Sequence, residues 1–439
     1  MPESAYGPTN NCIGIGDILR RRGHRVVFAA EASWKGKLEA LGFEEDLVDL
    51  APPPEDAEEQ DPGQFWKDFI RETAPEYRKS TREQLETVTQ PIWAELIDGV
   101  KYCEPQLKAI IERVNPDVIV EDNVITFPAL RTAGKKFARI VSCNPLEVRG
   151  ADIAPVFSGL PADDRSEWDA FRAEYDRTHR ELWTAFNEWS VAQGTEPLPD
   201  LDFIHEGDLN LYVYPEILDY AGARPLGSTW HRLDSSVRET DEDFTLPFER
   251  RSSRRESDGG ANEERSGRDH KHERRSSLIY FSLGSLGSSD VELMQRVIDV
   301  LAGTPHQYIV SMGPLHEEIK LPDNMWGSEF LPQTKIIPLC DLVITHGGNN
   351  TTTEALHFGK PMILLPLFWD QYDNAQRVDE LGYGVRLSTY TFTDDDLTGA
   401  VARLLGDTGL RARLAAAGEE IRRRDGLRQA ADLIEQLGQ

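Results

Sequence analysis

An α/β fold of two doubly wound domains is predicted by the chain's length, its hydrophobic patterning and a break in composition past the middle. At 439 residues the chain exceeds what one hydrophobic core usually serves, so two domains are expected. Strand-length apolar runs alternate with amphipathic helical stretches in both halves, the pattern of parallel sheets covered by helices. Over residues 233–277 the pattern stops and charge replaces it: Arg250, Arg251, Arg254 and Arg255 lead into Gly259 and Gly260, then Arg265, Lys271, Arg274 and Arg275. That stretch has too few apolar side chains to offset the entropy of ordering and reads as a disordered, solvated linker. The expected division is therefore a first domain over 1–232, a second over 278–415, and a C-terminal helix over 416–439 that packs back on the first.

In the first half, Cys12 to Arg22 reads as a helix stopped at Gly23, followed by a strand from His24 to Ala30. Asp117 to Val120 reads as a strand ending in Glu121 and Asp122, then a helix runs from Phe127 to Phe137 and a strand from Ala138 to Ser142. Between residues 164 and 193, Trp168, Phe171, Tyr175, Leu182, Trp183 and Phe186 recur at spacings that place them on one helical face. They either pack this helix onto its domain or line a pocket for a small molecule. In the second half, strands are expected at Leu278 to Leu283, Tyr308 to Met312, Leu342 to Thr345 and Met362 to Pro366. Helices are expected at Val291 to Leu301, Thr334 to Cys340 and Thr352 to Phe358.

Composition narrows the function. A formal charge of −28 opposes nonspecific attraction to nucleic acid or anionic lipid, which leaves a small molecule as the expected partner. No apolar run approaches the roughly 18 residues of a membrane span, and the first residues carry no signal-peptide pattern, so a cytoplasmic protein is expected. Cys12, Cys103, Cys143 and Cys340 are scattered without a metal or redox spacing and read as reduced thiols.

The chemistry concentrates after the strand Leu342 to Thr345. There His346, Gly347, Gly348, Asn349, Asn350 and Thr351 open a helix that reaches Glu354. The glycines admit close backbone approach, and first-turn N–H groups with the helix dipole make an anion site fit for a diphosphate. His346 and Thr351 can donate to its oxygens, whereas the anionic Glu354 suits ribose hydroxyls. Further on, Asp370 and Gln371 place an acceptor-only carboxylate beside an amide, a pair able to grip vicinal sugar hydroxyls. Upstream, Phe330 and Gln333 bracket Leu331 and Pro332 and offer a ring to stack and an amide to edge-bond a base.

These residues, with Gly359-Lys360-Pro361, resemble the donor motif of the family 1 UDP-glycosyltransferases, in a bacterial form similar to macrolide and other small-molecule glycosyltransferases of secondary metabolism. The resemblance implies a GT-B architecture, two facing Rossmann-like domains. It also implies that His346, Gly348, Asn350 and Thr351 attend the diphosphate, Glu354 the ribose, and Asp370 with Gln371 the transferred sugar. Ser282, Gly284 and Ser285 resemble the strand-end loop that reaches the diphosphate from the other side, and Phe330 with Gln333 the base-binding segment.

The first domain departs from that pattern. Counting back from Gly23-His24, the residue aligned with the family's proton-accepting His is Pro8, and the family's first strand is expected to be missing, through truncation or a late start codon. Asp122 stands where the family has the Asp that orients that His, and is the candidate base if burial raises its pKa. Tyr6, Asn10 and Asn11 are candidates to hold the acceptor, as are residues 52–75 and 147–165. The expectation is inverting transfer of a hexose, glucose from UDP in the first instance and a TDP-sugar as the alternative, to a hydroxyl of a small apolar acceptor. No cofactor and no metal are expected, because no D-x-D type carboxylate cluster accompanies the diphosphate motif. Loss of the His leaves two rivals: a member that binds nucleotide sugar without transferring it, and a sugar-nucleotide epimerase.

Overall fold

The computed structural model of the chain describes residues 1–3, 6–52, 73–238, 243–248 and 276–439. Of the expected linker, residues 239–242 and 249–275 lie outside the described residues, as do 53–72 of the segment expected to touch an acceptor.

In the first domain, β3 (Val118–Asp122), β4 (Lys136–Val141), β5 (Leu209–Val213) and β6 (Trp230–Leu233) form a parallel sheet in that spatial order, beside a small parallel pair of β1 (Val27–Phe28) and β2 (Glu44–Glu45). Helices α1 (Tyr6–Arg21), α2 (Gln90–Val114) and α3 (Trp168–Ala192) cover it. Where a first strand was expected to be missing, residues 1–3 run parallel to β3: the Asp122 N–H donates to Met1 O at 3.0 Å and the Glu3 N–H to Asp122 O at 2.8 Å.

The second domain is a six-stranded parallel sheet: β7 (Leu278–Ser282), β8 (Gln307–Ser311), β9 (Met325–Ser328), β10 (Leu342–Thr345), β11 (Met362–Leu364) and β12 (Gly384–Arg386). Their spatial order, β12-β11-β10-β7-β8-β9, reverses between β10 and β7. In open parallel sheets a crevice opens at such a reversal, outside the strands' carboxyl ends. Around the sheet lie α4 (Val291–Ala302), α5 (Asn349–His357), α6 (Gln371–Glu380) and α7 (Asp394–Gly406). The strands are buried on both faces, which is why they read in sequence as unbroken apolar runs.

Helix α8 (Thr408–Arg424) stays with this domain, and the chain turns at Asp425, whose φ of 51° ends the helix. Helix α9 (Gly426–Leu437) then crosses to the first domain: Ala430 and Ile434 share a buried cluster with Ile13 and Ile15 of α1, and Arg22 pairs with Asp432 and Glu435 at 2.7 Å each. The crossing begins at Asp425, later than the expected residue 416, because α8 and α9 are separate helices rather than one.

Four elements differ from the sequence reading for local reasons. Helix α1 begins at Tyr6 rather than Cys12; Pro8 falls in its first turn, where the N–H it lacks would have no helical partner. The strand expected from His24 to Ala30 is only Val27–Phe28, since its sole ladder partner is the two-residue β2. The helix expected from Phe127 to Phe137 is a single turn, Pro128–Arg131, and the chain leaves it through Gly134 at φ 66°. The helix expected from Thr334 to Cys340 is Gln333–Ile336 followed by a 3-10 turn, Ile337–Leu339, because Pro338 removes the donor that would continue it.

One buried acid in the first sheet carries a stability prediction. Glu121 is fully buried, neither carboxyl oxygen meets a hydrogen-bond donor, and burial pushes its pKa up to about 8, opposed by the charges of the N-terminal ammonium and Arg139. The fold therefore binds a proton that the unfolded chain releases, and stability falls as pH rises from the ordinary carboxylate range through about 8. Glu121→Gln, which cannot ionise, is expected to leave thermal stability near wild type at pH 5. At pH 9 it should raise unfolding free energy by about 3–5 kcal/mol, read by chemical denaturation at both pH values.

Candidate active site

The site is assembled where β7 and β10 end. β10 delivers His346 and then Gly348, the N-cap of α5, while β7 delivers Ser282 and then Gly284. A Cβ on Gly284 would stand 2.8 Å from His346 Cε1, and one on Gly348 would stand 2.5 Å from Nε2, so both positions must lack a side chain for the imidazole to lie between them. Gly284 also adopts φ 73°, whereas Gly348 has an ordinary φ of −57°, so its requirement is space alone. Burial pushes the His346 pKa down to about 4, against a backbone hydrogen bond with Ser282. The ring is therefore neutral at pH 7, with a single N–H that the Ser282 backbone carbonyl accepts, and it lies beside the N-terminus of α5.

Deeper along α5, Thr351 and Glu354 face Gln333. The Gln333 amide donates to Glu354 Oε2 at 2.5 Å and to Thr351 Oγ1 at 3.2 Å, and its carbonyl accepts from the Tyr280 hydroxyl at 3.1 Å. Gln333 is thus fixed from both ends and fixes Glu354, whose pKa burial raises to about 7. Tyr280 was not anticipated; as one apolar-looking member of a strand it gave no sequence signal. Phe330 stands at the rim with 56% of its surface exposed, and Ser285 is exposed at the mouth of the same crevice.

Other residues expected to contact the donor have partners within the protein, in the first domain or in their own loop. Asp370, N-terminal to α6, accepts the Asn144 N–H at 2.8 Å, and burial raises its pKa to about 6. Trp369 before it sits at φ 58°, a conformation rarely held by a large side chain, which marks the loop as tightly constrained. Gln371 turns its carbonyl back onto the Leu367 and Phe368 N–H groups at 3.0 and 3.3 Å. Both side chains expected to hold a sugar thus have partners within the protein: the Gln371 carbonyl satisfies backbone donors of the loop after β11, and the Asp370 carboxylate accepts from Asn144. Asn350 donates to Gly7 O at 3.0 Å.

These contacts belong to a continuous seam. Asn349 donates to Ser142 O and Val213 O at 2.8 and 3.0 Å, Asp373 accepts the Phe157 and Gly159 N–H groups at 2.6 and 2.8 Å, and Arg377 donates to Leu218 O and Asp219 O at 2.7 and 2.8 Å. The carboxyl ends of the two sheets face each other across it.

Asp122 ends β3 on the first-domain side. It is 1% exposed, and its Oδ2 accepts from the Ser142 hydroxyl at 2.6 Å. Asn11 of α1 donates to the same hydroxyl at 2.6 Å and reaches Asn350 Oδ1 at 3.4 Å, so a polar chain runs from Asp122 to the donor-side helix. Burial holds the Asp122 pKa well above the usual carboxylate range, with the charge of Glu3 adding to it. Glu3, raised to about 7 by burial and by Asp370, was missed because one acid at the start of a chain carries no motif. Pro8 lies in α1 and offers no proton-accepting group; the Tyr6 side chain is outside the described residues.

Residues 295–425, which hold all of α5 and α6, match the family described as Erythromycin biosynthesis protein CIII-like, C-terminal domain. Demethyllactenocin mycarosyltransferase of Streptomyces fradiae is 24% identical across 99% of this chain and 84% of its own length. The crystal structure of the glycotransferase of kitacinnamycin superposes with a TM-score of 0.65 at 21% identity, covering 99% of this chain and 96% of that one. The chain has the GT-B fold and is similar over its whole length to bacterial glycosyltransferases. A further GT-B neighbour, the glycosyltransferase VinC in complex with DTDP, has a TM-score of 0.61 at 17% identity, over 99% of this chain and 97% of that one. Among the described residues, no helix is long and apolar enough to cross a membrane and no group of acidic, His or Cys side chains is arranged to hold a metal ion.

Proposed function

We propose that the protein transfers a hexose, with inversion, from a pyrimidine nucleoside diphosphate sugar to a hydroxyl of a small apolar acceptor. The observation that carries this reading is the neutral His346 imidazole held between Gly284 and Gly348 at the reversal of the second sheet. A neutral ring N–H beside a helix N-terminus, once it exchanges the Ser282 carbonyl for a phosphate oxygen, stabilises charge developing on a departing diphosphate. Glu354, oriented by Gln333, suits the ribose hydroxyls, and Phe330 and Gln333 the base edge and face. Ser282 and Ser285 complete the phosphate side. In the transfer step the acceptor oxygen bonds to the anomeric carbon as the bond from that carbon to the diphosphate breaks. The acceptor proton passes to Ser142 Oγ as that hydroxyl gives its own proton to Asp122 Oδ2, a route supported by their 2.6 Å hydrogen bond. Asp370 meets the sugar once it exchanges the Asn144 N–H for a hydroxyl.

UDP-glucose is the first donor to test. A TDP-sugar is the alternative, supported by the similarity to a protein named a mycarosyltransferase and to a structure that holds DTDP. A second reading, nucleotide-sugar binding without transfer, is favoured by Pro8 in α1 and by the burial of Asp122. Mass spectrometry of the protein incubated with UDP- and TDP-hexoses and a panel of phenolic, macrolide and sterol acceptors separates the two. A product heavier by one hexose is expected; binding of the donors with no product from any acceptor would support the second reading.

A further inference from the structure

Outside the seam between the sheets, the first domain holds a cavity of about 430 Å³ between α3 and the loop after β4. That volume is within the range of small-molecule sites. Leu146, Val156 and Phe171 give it apolar walls, and three arginines line it: Arg149, Arg172 and Arg180. Two of these are committed. Arg172 donates to the carbonyls of Gly150, Ala151 and Ile153 at 3.2, 3.2 and 2.7 Å, and Arg180 pairs with Asp176 at 2.5 Å and with Asp200.

Arg149 differs. Its guanidinium lies 4.4 Å from the centroid of the Tyr175 ring, and among the described residues no carboxylate approaches it within ion-pairing distance. The Tyr175 hydroxyl and Trp93 Nε1 are buried close to it and to each other, and neither meets a partner at good hydrogen-bonding geometry. The Tyr175 ring stacks on His179 at 4.0 Å and 1°, and burial keeps that imidazole neutral by pushing its pKa down to about 4. Asp202 and Glu147 balance the Arg149 charge only from beyond ion-pairing distance, and a guanidinium and donors this short of close acceptors are better satisfied by an anionic, acceptor-rich ligand. The cavity also adjoins the reacting centre: Phe157 stands 6.4 Å from Tyr175 and 4.3 Å from Trp369, which precedes Asp370.

We propose that this cavity receives the acceptor and that Arg149, with the Tyr175 hydroxyl, selects aromatic acceptors that carry a carboxylate. The proposal rests on the transferase reading only for the word acceptor; the anion site stands on the cavity and its unsatisfied donors. Planar guanidinium matches carboxylate with two parallel hydrogen bonds, a geometry that a lysine or a glutamine does not reproduce. The apolar walls accept the ring and Arg149 reads its acid group.

Titration calorimetry of 6-hydroxy-2-naphthoate and its methyl ester into the full chain tests this. The acid is expected to bind at least about tenfold tighter than the ester to wild type, and Arg149→Gln to bring the two within about twofold by weakening the acid alone. Tyr175→Phe is expected to narrow the gap partially. Equal affinity of acid and ester for wild type, no binding of the acid, or an unchanged preference in Arg149→Gln would each overturn the proposal; the first two need no variant to fold. Sugar transfer to the same probes is scored separately. Transfer to neutral phenols without acid preference sinks the anion site and keeps the transferase, whereas Arg149-dependent acid binding without transfer from any donor does the reverse.

Discussion

His346→Ala is expected to lower kcat for sugar transfer by about 10²–10³-fold with a smaller change in donor affinity, because the lost N–H acts most on the charge that develops as the diphosphate leaves. The neutral state of the ring sets the pH dependence. With its pKa pushed down to about 4, His346 changes charge only in strong acid, so it contributes no limb to the rate profile near neutrality. Gly348→Ala tests the same arrangement without touching the imidazole. The backbone at Gly348 suits alanine, yet the added methyl would fall 2.5 Å from His346 Nε2 and must push the ring out of the crevice. The expected result is a folded protein with a rate loss approaching that of His346→Ala, measured by steady-state kinetics with circular dichroism as the control for folding.

Asp122→Asn is expected to cost about 10²–10⁴-fold in kcat, the range for losing a positioned base, and Ser142→Ala a comparable amount if the proton travels through its hydroxyl. The sign of the pH effect follows from the raised pKa. Asp122 works only when ionised, and burial favours its neutral form, so log(kcat/KM) should climb with unit slope as pH rises through a value well above the ordinary carboxylate range and then level off. That limb should vanish in Asp122→Asn. A wild-type profile already flat from pH 5 upward would exclude Asp122 as the base.

The donor side of the site was legible in the sequence because it is local. Strand, two glycines and helix follow one another within residues 342–357, and the chemistry of His346, Thr351 and Glu354 is carried by their spacing alone. The apolar strands of the second domain were equally plain, since double burial leaves an unbroken hydrophobic run. What stayed hidden depends on contacts between distant segments. That Asp370 binds the Asn144 N–H, that Asn350 faces Gly7 and that Gln371 folds back on its own loop are results of how the domains meet. Tyr175 and Phe171 were visible as a helical aromatic face, but whether that face packed or lined a cavity was open until the loop bearing Arg149 was placed beside it. Pro8, which precedes the helix expected from Cys12, lies in α1 because its ring is tolerated in a first turn.

The account stands on a diphosphate site formed by His346, Gly284, Gly348 and the start of α5. Titration calorimetry of UDP and TDP into wild type and Gly348→Ala tests it most directly. The account predicts that at least one of the two nucleotides binds wild type, and that the methyl of Gly348→Ala weakens it by about tenfold or more in a protein that is otherwise folded. Equal binding by wild type and Gly348→Ala, or no binding of either nucleotide to wild type, would contradict it.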